Sequence, residues 1–120
     1  MHGTWRKKVR GAMAESQLRK GVLELVVLAA LNRQPTYGGA LLDILGQSLG
    51  SEVSSGTLYP LLTRLRKAGM LATHWEESPA GPPRKVYRLT ERGSARFAEL
   101  NDEWHTLVEA VSTTLKGTTR

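Results

Sequence analysis

The apolar period of this chain changes at Gly69, and that change limits the folds open to it. Before Gly69 the apolar residues recur at steps of three and four, as on helices. Just after it they alternate. "MLATHW" sets Leu71, Thr73 and Trp75 against Met70, Ala72 and His74, and "KVYRLT" sets Val86 against Tyr87 and Leu89. Between these runs lies "EESPAGPPR", rich in Pro and Gly, so the pair reads as a β-hairpin with a long tip. A helical stripe then returns and runs for about five turns.

The helical half divides at its breakers. Residues 18–32 are densely apolar through Leu18, Val22, Leu25, Val26, Leu28, Ala29 and Leu31, which predicts a helix buried around much of its circumference. "RQPT" ends it, because the residue before a proline avoids the α region. Thr36 is the expected cap of a second helix with Leu41, Leu42, Ile44 and Leu45 as its apolar face and Gly50 at its end. The paired Gly38 and Gly39 in that helix predict close approach of another backbone. After a connector with Val53 inward, Ser54 or Ser55 caps a third helix, striped with Leu58, Leu61, Leu62 and Leu65 and closed by Gly69. Thr90 caps the last helix, with Glu91 suited to its dipole. Phe97, Leu100, Trp104, Leu107 or Val108, Val111 and Leu115 form its stripe.

Three helices, a hairpin and a helix describe a mainly α fold with a small β element (α+β): a winged helix-turn-helix plus a long C-terminal helix. In that architecture the third helix enters the DNA major groove, with the hairpin beside it on the backbone. The expected organisation is a basic arm over 1–17, a DNA-binding domain over 18–90 and a dimerisation helix over 91–117. Such a helix, following a complete small domain, needs either a second copy of the chain or helix one to cover its seam.

Charge agrees with a polyanionic partner. The chain carries +6, of which +5 falls in residues 1–20, and its pI is about 10.1. Nothing approaches a membrane span, no apolar segment follows the basic N-terminus as in a secretory signal, and there is no cysteine. The expected location is the cytoplasm of a bacterium.

The stretch "SSGTLYPLLTRLRKAGML" carries the site. A helix N-terminus offers outward N–H groups and a positive dipole end to a phosphate. Ser55, Thr57 and Tyr59 add neutral donors, and Gly56 permits close approach. Arg64 and Lys67 project away from the leucine stripe. Arg64 is the better base reader, since only Arg has a planar fork. Arg84 and Lys85 follow the proline-stiffened turn of the wing. Glu76 and Glu77 oppose them and would repel phosphate.

With these residues in place, the chain resembles the PadR-like transcriptional regulators, specifically the small members with a single C-terminal helix. "LRKGVLELVVLAAL", "TYGGALLDIL", "EVSSGTLYPLLTRLRKAGML" and "GPPRKVYRLTERG" carry the resemblance, with the Trp-containing last helix. It departs at Val86, where tyrosine is usual, and at "YGG", where "YGY" is common; Val86 removes one aromatic hydrogen bond. The resemblance implies a homodimeric repressor on a palindromic operator in double-stranded DNA. It implies that Tyr37, Ser54, Thr57, Tyr59 and Arg64 lie at or near DNA, that Arg84 and Lys85 stand at the wing tip, and that the terminal helix makes the dimer. It also implies a small aromatic effector stacked on Trp104 at that interface. Plain interface packing is the other reading of Trp104. Trp75 reads as core, and Trp5 lies in the arm.

Catalysis is not expected. His2, His74 and His105 fall in separate elements, and there is no metal-ligand spacing, phosphate loop or nucleophile elbow, so no cofactor or metal is expected. Two binding alternatives stand beside the regulator. One is a winged helix that binds protein rather than DNA; the basic face of the third helix and salt-dependent DNA binding would separate the two. The other is membrane-surface binding by the arm, for which Trp5, Val9 and Met13 form a weak apolar face.

Overall fold

Ser16 opens the first helix: its hydroxyl accepts from the Arg19 N–H at 3.1 Å. Helix α1 then runs Gln17–Arg33 and stops ahead of Pro35. The computed structural model describes residues 16–117, so all but the end of the expected 1–17 arm, with Trp5, lies outside the described residues. Gln17 is already helical, because Ser16 provides the cap. The α1 burial is narrower than the sequence suggests. Leu23, Val27, Leu28 and Leu31 are buried, whereas Leu18 is 77% exposed. Leu18, Val22 and Leu25 form a second stripe that opens on a surface groove.

Thr36 does not cap the second helix. Pro35 keeps the chain extended, and Thr36–Tyr37 continue as a short strand, β1. The Thr36 hydroxyl turns back to donate to the Gln34 carbonyl at 3.0 Å. Helix α2 spans Gly38–Leu49 with Tyr37 at its N-cap and no side-chain cap bond, and Gly50 ends it at φ 72. Leu41 and Leu45 are fully buried, but Ile44 is exposed.

Helix α3 spans Ser55–Lys67, and of the two candidate caps it uses Ser54. Leu58, Leu62 and Leu65 are fully buried and Leu61 half-buried, as the spacing predicts. Its end is a complete Schellman motif. Gly69 sits at φ 81, its N–H donates to Arg66 O, and the Met70 N–H donates to Leu65 O, both at 3.0 Å.

The sheet has three strands rather than two. Strands β2 (Leu71–Ser78) and β3 (Gly81–Leu89) form the hairpin, and β1 adds to the other side of β3 through Thr36↔Tyr87 and Tyr37↔Val86. The hairpin tip is shorter than expected. Pairing reaches Ser78↔Gly81, which leaves Pro79 and Ala80 as the turn. The register shifts between Glu76 and Ser78, opposite Pro82 and Pro83, so these prolines fall where a lost N–H costs little.

Helix α4 spans Glu91–Lys116. The Thr90 hydroxyl accepts from the Gly93 N–H at 3.0 Å and donates to the Gly69 carbonyl at 2.6 Å, so one side chain joins the ends of α3 and α4. Gly93 has no room for a side chain: a Cβ there would overlap the Met70 carbonyl oxygen. The core lies among α1, α2, α3 and the sheet base, where Leu71 and Tyr87 close it.

Candidate nucleic-acid interface

The start of α3 is built from hydroxyls that first satisfy one another. The Ser54 Oγ accepts from the Thr57 N–H at 3.2 Å and donates to the Thr57 Oγ1 at 3.0 Å. The Thr57 hydroxyl hydrogen is not used in this pair, while the Ser55 and Gly56 N–H groups have no intrahelical acceptor. Ser54, Ser55 and Gly56 are exposed and Thr57 half-buried. A long-range bond holds the loop before this turn: Arg19 Nη2 donates to the Ser51 carbonyl at 3.0 Å. In sequence Arg19 is only one of the charges of residues 1–20, since nothing local marks a contact 32 residues away.

Burial of Leu58, Leu62 and Leu65 turns Gly56, Pro60, Thr63 and Lys67 outward, at about 100° per residue. Thr63, exposed on that face, was not singled out by sequence. Arg64 and Thr57 flank the face on one side, Tyr59 and Arg66 on the other. Arg64 is not an unengaged cation: its Nη2 donates to Glu24 of α1 at 3.3 Å, although its side chain is 62% exposed.

Tyr59 answers the question of the paired glycines. Its ring lies against the Gly38 Cα, where a Cβ would collide with the hydroxyl and ring edge. The close partner is therefore a side chain of α3 and not a backbone; Gly39 has only ordinary contact, with the Tyr37 ring. Tyr87 lies in the same region. Burial raises its phenol pKa, the neighbouring Tyr59 adds to the rise, and Arg66 opposes it.

On the wing, Arg84 and Lys85 sit within β3 and not at the tip, because the strands run on past them. Arg84 stacks over the Tyr37 ring at 4.3 Å from its centroid, joining the wing to the β1–α2 corner. Glu76 lies opposite Arg84 in register and is engaged by His74 at 3.0 Å. Trp75 is not core. It is 67% exposed, paired in register with Lys85, whose ammonium is 5.8 Å from its ring. The alternation places it on the inner face of the sheet, but β2 has by then run past the edge of the core.

Tyr37, Ser54, Ser55, Thr57, Tyr59, Arg64, Lys67, Arg84 and Lys85 thus occupy three adjoining elements: α3, the β1–α2 corner and the wing.

The second expected site, on α4, divides in two. Phe97 and Leu100 are half-buried and pack against the chain's own core. Trp104, Leu107, Val108, Val111 and Leu115 are between 39% and 54% exposed. Trp104, Leu107, Val108 and Val111 share a groove of about 560 Å³ with Leu18, Val22 and Leu25 of α1.

Comparison with known proteins decides the family. The model of the transcriptional regulator PadR-like family matches residues 27–99. The chain belongs to the PadR-like family of transcriptional regulators. Three solved PadR-like structures agree. One from Eggerthella lenta is 37% identical, with a TM-score of 0.76 over 93% of this chain and 96% of that one. One from Bacillus cereus is 33% identical, with a TM-score of 0.77 over 83% and 97%. One from Bacteroides fragilis is 40% identical, with a TM-score of 0.69 over 83% and 96%. PadR-like proteins are DNA-binding regulators of transcription, not enzymes, and their α+β winged-helix fold is the one seen here. No helix among the described residues is long and apolar enough to cross a membrane.

Proposed function

We propose that this PadR-like protein is a homodimeric repressor that binds a palindromic operator through α3 and the wing. Residues 18–90 form the DNA-binding unit and 91–117 the dimerisation helix. The observation that carries the reading is the convergence of free donors on one side of the molecule. The outward N–H groups at Ser55 and Gly56, the Thr57 hydroxyl and exposed Lys67 lie along α3. Arg84, steadied on Tyr37, lies beside them. Ser54 shapes the turn, Tyr59 packs it against α2, and Ser55 and Lys85 add phosphate contacts. Arg64 reads a base edge.

The dimer reading rests on the exposed apolar seam of α4. Trp104, Leu107, Val108, Val111 and Leu115 stand on one long helix whose own domain is already complete, and a second copy buries them. Trp104 lines the groove between α1 and α4, and a flat aromatic effector that stacks there releases the protein from DNA.

Titration of a labelled duplex at several salt concentrations tests the DNA face. Wild type should lose affinity steeply with salt. Lys67→Ala and Arg84→Ala should each lower the slope of log K on log salt by about 1. Slopes equal to wild type in both variants would remove these residues from the interface.

A further inference from the structure

Glu24 stands where three helices meet. One carboxylate oxygen accepts from Arg64 of α3 at 3.3 Å, the other from Arg96 of α4 at 3.4 Å. Arg96 also donates to Glu99 on its own helix at 3.3 Å. Among the described residues, Glu24 is the acid that pairs with a basic side chain of α3. It is 18% exposed, against 62% for the Arg64 side chain.

We propose that Glu24 is a positioning residue for DNA binding: it holds Arg64 at the α1 side of α3 in the free protein, and Arg96 sets how firmly. The inference rests on the reading of Arg64 as a DNA contact. Arg64 lies on the flank of α3 nearest α1, so its guanidinium must leave Glu24 to reach into a groove. Its exposure leaves the long side chain free to swing. The carboxylate it leaves behind is mostly enclosed, and an enclosed charge stripped of its last partner is costly. Arg96 removes that cost, because Glu24 keeps one charge-assisted bond after Arg64 departs. Without Arg96, the whole demand of the carboxylate falls on Arg64, and release becomes harder. Arg96 is one turn before Leu100 on the helix that carries the exposed seam. A displacement of α4, whether by a second copy or by an effector, changes the sharing of Glu24 and is felt at the DNA face.

A double-mutant cycle on the full chain tests this, read as the Kd for a fluorescein-labelled operator duplex. Glu24→Gln should tighten binding by about two- to five-fold, the range of one exposed ion pair. Arg96→Gln should weaken it by a similar factor. A change in overall charge gives the same two signs, but its effects add. The route through Arg64 does not add: Arg96→Gln should be silent in the Glu24→Gln background, and both should be silent in Arg64→Gln. Additive effects, with Arg64→Gln itself weakening binding, overturn this inference alone. Unchanged binding in Arg64→Gln overturns the DNA role of Arg64 together with it. Should Glu24→Gln fail to fold, the Arg96→Gln and Arg64→Gln cycle decides by the same criterion.

Discussion

Gly93 fixes geometry out of proportion to its size. Gly93 lets α4 leave the wing against the Met70 carbonyl, in a space no Cβ can share. Gly93→Ala must push backbone against backbone, and overpacking of this kind costs about 1–3 kcal/mol. Thermal unfolding should show a lower Tm, and an unchanged Tm would mean that the helix simply shifts. Tyr87 supplies a pH test. Its pKa is raised by burial, so the folded state favours the neutral phenol over the phenolate more than the unfolded chain does. The stabilisation is whole below the ordinary tyrosine pKa of about 10 and is lost as pH rises through the folded value. Denaturant midpoints should therefore fall above about pH 10 in the wild type and fall less in Tyr87→Phe. Parallel falls in the two proteins would assign the alkaline loss to other groups.

At the scale of elements, much was legible because local chemistry encodes it. Helix α3 was readable end to end: leucines at helical spacing, a serine cap, a glycine with positive φ at its close. Thr90 likewise announced α4. What stayed hidden depends on partners distant in sequence. Strand β1 is two residues long and exists because β3 pairs with it, so Thr36 read as a cap. The prolines of the wing read as a loop because their tolerance depends on a register shift. Trp75 alternated correctly, yet alternation cannot show where a strand outruns its core. Phe97 and Leu100 continue the spacing of the α4 seam, and only the packing of α4 on the core divides the stripe. That division makes a prediction. Paired substitution of Leu107 and Val111 by Asp should leave the winged domain folded, since neither packs in the core, and should yield monomers by sedimentation equilibrium. Dimers in that variant would place the interface elsewhere.

For the whole molecule, charge and shape point the same way. The described residues measure 55 × 36 × 20 Å, elongated where α4 extends beyond the winged domain. A dimer held through those helices carries two α3 faces, and its two-fold axis demands an inverted repeat with half-sites spaced by whole turns of DNA, about 34–36 Å or a multiple. The net charge of +6 supplies attraction without sequence preference; in the function proposed above, specificity comes from Arg64 and its neighbours. The central claim is most directly tested by selecting bound duplexes from a random-sequence pool with the purified full-length protein, at low and at physiological salt. The account predicts recovery of one inverted repeat at both concentrations, bound more weakly at the higher. Enrichment of no motif, or of a motif without two-fold symmetry, would contradict it.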